Sequence, residues 1–170
     1  MADRAVFLDK DGTLLRDVPY NVDPARMELA PGGREALAGV ERRLEELFAE
    51  AGVPLAGFYY CPHHPEGHVA AYARACSCRK PEPGLIVRAA FEHDLDRRRS
   101  WFIGDILNDV EAGRRAGCRT VLVSNGNETE WILTPDRLPH YVAPDLGAAA
   151  RGIRFLDDPP ARRSVLAGQG

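Results

Sequence analysis

The chain has 170 residues and a formal net charge of −3, with 22 Lys plus Arg against 25 Asp plus Glu. That length suits one domain with a core of its own. The mild charge excludes the basic stripe of a nucleic-acid binder and a patch for anionic membranes, and no apolar run reaches the length of a membrane span. The N-terminus enters a charged first strand without the pattern of a signal peptide. The expectation is a soluble cytoplasmic monomer that binds a small molecule, with no nucleic-acid and no membrane partner.

In chain order, residues 5–8 read as a buried strand and 16–31, with Pro19, Pro24 and Pro31, as an irregular excursion. A helix is expected over 33–50, where Leu37, Val40, Leu44, Leu47 and Phe48 keep helical spacing and Gly52 provides a stop. Residues 57–60 read as a second strand. A helix over 83–95 opens at Pro83, 101–103 form a third strand, and a helix over 107–116 closes at Gly117. A fourth strand covers 120–123, a short one 141–143, and Asp145 caps a last helix. This gives one domain over 1–155 and a Pro/Gly/Arg-rich loose tail over 156–170.

Strands alternating with helices imply an α/β fold, a three-layer sandwich around a central, mostly parallel, Rossmann-like sheet. Ligands of such sheets bind beyond the carboxyl ends of the strands. The distinctive polar residues fall there: Asp9 and Asp11, Cys61 and His63, Asp105, and Ser124. A single aspartate at such a place more often caps a turn. Three converging carboxylates repel one another without a cation, and hard oxygen ligands suit Mg²⁺, which commonly handles phosphate while a carboxylate attacks. Of the 22 basic residues only Lys10 and Lys80 are lysines. The plain reading is chance in an arginine-rich chain; the sharper one is that Lys80 supplies a point charge to this site.

The segment "CPHHPEGHVAAYARACSCRKP" holds Cys61, His63, Cys76 and Cys78. Two close pairs separated by a loop make a closed four-ligand set that fits structural Zn²⁺. His64 and His68 are spare imidazoles, buried free thiols are the bland alternative, and Cys118 reads as a small core residue.

Three motifs carry a family resemblance. "FLDKDGTL" resembles the first signature of the haloacid dehalogenase superfamily of phosphatases, "CRKPEPG" the segment carrying its lysine, and "IGDILND" its acidic metal motif. The resemblance implies that Asp9 is the nucleophile, that Asp11 protonates the leaving group and then activates water, and that Lys80 stabilises the phosphoryl oxygens. It implies Mg²⁺ on Asp9, Asp11 and Asp105, with Asp109 behind them, and substrate contacts from Thr13, Asn21 and Arg79. The zinc loop inserted over 61–80 resembles a subgroup, the D-glycero-D-manno-heptose 1,7-bisphosphate phosphatases, with histidinol-phosphate phosphatases as close relatives. The substrate implied is a phosphorylated sugar, the alternative being histidinol phosphate. One family element has no counterpart: a core strand ending in Thr or Ser followed by Asn, whose hydroxyl and backbone bind the transferring phosphate. Here "PGGREALA" runs directly into "GVERRLEELFAEAG". The loss implies a weakened sheet and reduced turnover, or a silent module that binds phosphorylated ligands.

Overall fold

The computed structural model describes residues 2–10, 13, 33–66 and 70–158, and of 33–40 the backbone alone. Four strands form one sheet: β1 (Val6–Leu8), β2 (Trp101–Gly104), β3 (Arg119–Val123) and β4 (Tyr141–Ala143), in that spatial order. All neighbours are parallel, with Phe7 opposite Phe102, Phe102 opposite Thr120, and Val121 opposite Tyr141. The first ladder runs on past β1, since the Asp9 N–H donates to the Ile103 carbonyl at 2.9 Å.

Alternation along the strands sorts their side chains onto two faces. Trp101, Ile103, Val121, Val123 and Ala143 pack against Ala148, Ala149 and Ile153 of α4 (Leu146–Asp157). Phe102, with Phe7 beside it, turns the other way onto Ile86 of α2 (Gly84–Glu92) and Ala112 of α3 (Leu107–Arg115). Leu122 meets Leu107 and Val110 on that same side. Helices on both faces of a parallel sheet are the expected three layers. Helix α1 (Gly33–Glu50) takes the expected range and buries Leu44. Its stop at Gly52 and that of α3 at Gly117 have φ of +69° and +87°, a region open to glycine. No helix among the described residues is long and apolar enough to cross a membrane.

Two expectations are corrected. Residues 57–60 form no strand: the aromatic composition is that of a strand, but no ladder partner lies alongside among the described residues. Side chains place the segment instead, the Tyr59 hydroxyl donating to Glu92 Oε2 at 2.6 Å and lying 3.0 Å from His93 Nε2. Helix α2 ends at Glu92 rather than 95, because Asp94 takes a φ of +50°. The last helix runs to Asp157, which is anchored. It pairs with Arg4 at 3.0 Å and with Arg119 at 2.5 Å, and accepts the Trp101 indole N–H at 3.1 Å. The excursion over 16–31, the side chains of Leu37 and Val40, and the tail from 159 onward lie outside the described residues.

Trp101 joins these parts. It is 2% exposed, carries the Arg119 guanidinium 4.2 Å from its ring centroid, and sits in the α4-side core. Trp101→Ala is expected to cost about 3–5 kcal/mol, read as a fall in the urea midpoint. A loss below about 1 kcal/mol would show that the α4 layer does not depend on it.

Candidate active site

Two strand ends and a helix start deliver the carboxylates of the site. Asp9 follows β1 directly, Asp105 follows β2, and Asp109 lies in the first turn of α3. One carboxylate oxygen from each lies within 4.8 Å of the others. Lys80, from the segment before α2, closes the cluster: its Nζ donates to Asp9 Oδ1 and to Asp109 Oδ1. Asp109 is wholly buried, and its second oxygen accepts the Asp105 and Ile106 N–H groups at 3.2 Å each. A carboxylate on the N-terminal turn of a helix also meets the positive end of its dipole.

Three carboxylates facing one ammonium leave negative charge in excess. Burial pushes Asp109 above the usual carboxylate range, with Asp9 adding to the shift and Lys80 opposing it. Burial likewise raises Asp105, with Asp9 adding and a hydrogen bond from Asn127 opposing. Burial works against the Lys80 charge, but Asp109 and Asp9 outweigh it and hold the ammonium above its usual value. A hard divalent cation among these oxygens would remove the excess, so the donor set fits Mg²⁺.

Glycine makes the seat possible. A Cβ at Gly104 would lie 2.2 Å from the Asp109 Cβ and 2.4 Å from its Oδ2. Only a residue without a side chain lets the end of β2 approach Asp109 this closely.

The second predicted cluster also assembles. Sγ–Sγ separations among Cys61, Cys76 and Cys78 are 3.0–3.5 Å, too long for disulfides. His63 Nδ1 lies 3.4 Å from Cys78 Sγ and 3.7 Å from Cys61 Sγ. A tetrahedron with Zn–S bonds of about 2.3 Å has edges of about 3.8 Å, so the four donors stand close to where a zinc ion would gather them. Burial pushes the Cys61 thiol up to about 12, with Cys78 adding, and burial raises Cys78 as well. Such thiols ionise when a metal takes their protons' place. The cluster is tied to the carboxylates through the chain that carries Lys80. Cys78 precedes Lys80 by two residues, and Arg79 donates to the His63 carbonyl at 3.1 Å. The Gly84 N–H donates to the Ser77 carbonyl at 2.7 Å, an approach that a Cβ would close to 2.2 Å.

The remaining predicted residues divide. Thr13, buried, donates through Oγ1 to Asp105 Oδ1 at 3.3 Å, so its contact is with the carboxylate cluster. Arg79 turns to the Cys/His loop as described. Asp11, Asn21 and His68 lie outside the described residues. Ser124 continues the β3–β4 pairing through its N–H to the Ala143 carbonyl at 2.8 Å. Sequence reasoning missed Asn127, whose Nδ2 donates to Asp105 Oδ2 at 2.8 Å, and Glu128, which accepts the Leu107 N–H at the start of α3. Their only sequence signal is the polar run "SNGNETE" at the carboxyl end of a strand.

A family model described as HAD-hydrolase-like matches residues 77–149. The chain is 36% identical over 185 residues to the D-glycero-D-manno-heptose-1,7-bisphosphate 7-phosphatase of Thermosynechococcus vestitus, with 88% of this chain and 94% of that protein covered. It therefore belongs to the HAD-like hydrolases, in the family of those 7-phosphatases. Among solved structures, a HAD-like phosphatase from Mesorhizobium loti superposes with a TM-score of 0.70 at 27% identity, covering 92% of this chain and 87% of that one. The D,D-heptose 1,7-bisphosphate phosphatase from B. bronchiseptica, solved with magnesium and phosphate, shares the fold with a TM-score of 0.65 at 24% identity, covering 88% and 97%. An alignment of 185 residues that draws on 88% of a 170-residue chain, about 150 residues, leaves some 35 positions of the Thermosynechococcus protein unmatched.

The Gly104 contact gives a direct check. Gly104→Ala is expected to cost about 1–3 kcal/mol by forcing Asp109 from its seat, measured by thermal or urea unfolding. An unchanged midpoint would show that Asp109 can shift without loss.

Proposed function

We propose that this protein is a phosphatase that hydrolyses a sugar phosphate, the 7-phosphate of D-glycero-D-manno-heptose 1,7-bisphosphate, through an aspartyl-phosphate on Asp9. The observation that carries the reading is the Lys80 ammonium shared between Asp9 and Asp109 at the carboxyl edge of the sheet. An Asp9 oxygen attacks phosphorus, and the bond from phosphorus to the sugar oxygen breaks. Asp11 gives its proton to the departing alkoxide. It then takes a proton from the water that attacks the phosphorus of the aspartyl-phosphate, which frees Asp9 and releases phosphate. Lys80 holds the Asp9 carboxylate in one orientation and balances charge that gathers on the phosphoryl oxygens. Asp9, Asp105 and the Asp11 carbonyl would hold Mg²⁺, which supplies Lewis-acid neutralisation of those oxygens when bound. Thr13 fixes Asp105, and Arg79 and Asn21 are assigned to the substrate.

Cys61, His63, Cys76 and Cys78 are assigned to a structural Zn²⁺ that pins the segment delivering Lys80. Free thiols of this kind suit the reducing cytoplasm, where we place the protein as a monomer.

A second reading has its own observation. Within the described sheet β1 is an edge strand, with Val6 51% exposed. The strand bearing the nucleophile thus has a single described neighbour, which favours a module that binds phosphorylated ligands without turning them over.

Two experiments decide. Phosphate release from heptose 1,7-bisphosphate with Mg²⁺ is expected for the wild type and is expected to fall by several orders of magnitude in Asp9→Asn. A folded protein that binds the ester without releasing phosphate supports the second reading instead. Metal analysis is expected to find one Zn²⁺ per chain in the wild type. Cys76→Ser, or a strong chelator, is expected to lower both the unfolding midpoint and turnover. Full activity after complete zinc removal would separate the zinc loop from the placement of Lys80.

A further inference from the structure

Asp105 engages a partner on each oxygen. Thr13 reaches Oδ1 at 3.3 Å, and Asn127 reaches Oδ2 at 2.8 Å. Asn127 stands on the loop after β3, next to Glu128, whose carboxylate accepts the first N–H of α3 from Leu107. Two adjacent residues of one loop therefore grip both halves of "GDILND": the carboxylate that ends β2 and the helix start that carries Asp109. The loop is built to hold this position. Gly126 turns the chain at a φ of +95°. The Asn127 N–H donates to Asn125 Oδ1 at 3.2 Å, and the Glu130 N–H to Glu128 Oε1 at 2.5 Å. At its root, Ser124 is tied into the β3–β4 ladder.

We propose that residues 125–130 form a clamp on the acidic motif, with Asn127 as a positioning residue that holds the Asp105 carboxylate for a divalent cation. The proposal rests on the reading of Asp9 and Asp105 as cation ligands. An amide donor on one carboxylate oxygen limits rotation of the group and leaves the remaining lone pairs aimed at the cluster. Partners of this kind contribute about ten- to a hundredfold to metal affinity in other sites. Glu128 works on the same motif from the other side, as an anion at the positive end of the α3 dipole.

The test uses Mn²⁺ as the probe, titrated into the zinc-loaded full chain and followed by electron paramagnetic resonance. Asn127→Ala is expected to weaken Mn²⁺ binding about tenfold or more at an unchanged unfolding midpoint. In turnover it is expected to raise the Mg²⁺ concentration for half-activity while kcat at saturating Mg²⁺ stays near wild type. Should the alanine variant unfold, Asn127→Leu keeps the volume and removes the donor, and the same comparison applies. Mn²⁺ affinity in the folded variant within about twofold of wild type would overturn the clamp. A wild type that binds Mn²⁺ but releases no phosphate overturns the phosphatase reading alone, and the resonance comparison still decides the clamp. A wild type that binds no Mn²⁺ overturns both.

Discussion

The ammonium of Lys80 lies between Asp9 at the end of β1 and Asp109 in the first turn of α3, and most of the unusual features of the chain serve that contact. Taking an ammonium and two carboxylates out of water is costly, and their mutual attraction repays the cost only when the geometry is held. It is held from three directions. Gly104 lets β2 approach Asp109, backbone N–H groups fill the second Asp109 oxygen, and the Cys/His segment fixes the chain two residues before Lys80. Asp9 at the end of the first strand thus has a physical reason: it meets an ammonium there.

Most of this was legible in the sequence where a pattern had a period or a chemistry. The helix over 33–50 followed from apolar spacing, and the strand at Tyr141–Ala143 from a short apolar run before a capping aspartate; both ranges hold. The two metal-type clusters were legible because each is assembled from short motifs rich in one ligand chemistry, although Asp11, expected in the first, lies outside the described residues. The scarcity of lysine singled out Lys80, which does reach the carboxylates. The misreading at 57–60 has the opposite cause. Aromatic residues in series fit a strand, but a strand is a pairing, and pairing is a property of the partner. Asn127 was invisible for a related reason. One amide in a polar loop has no pattern, and its contact with Asp105 arises only when the ends of β2 and β3 lie side by side. Arg79 was legible as a neighbour of Lys80 but not as a donor to the Cys/His loop, since that hydrogen bond depends on where the His63 carbonyl points.

The edge position of β1 gives these contacts added weight. A strand between two neighbours is fixed by two ladders, whereas β1, three residues long, has one described ladder, with β2. Among the described residues, Asp9 is held by the N–H bond that continues the ladder to Ile103 and by the Lys80 ion pair beyond it. The first fixes the backbone and the second the carboxylate. The orientation of the Asp9 carboxylate therefore depends on how firmly the Cys/His segment that delivers Lys80 is held. The Cys61, His63, Cys76 and Cys78 cluster, joined to the start of α2 through Ser77 and Gly84, gives that segment support independent of the sheet, and a metal on its four donors would stiffen it further.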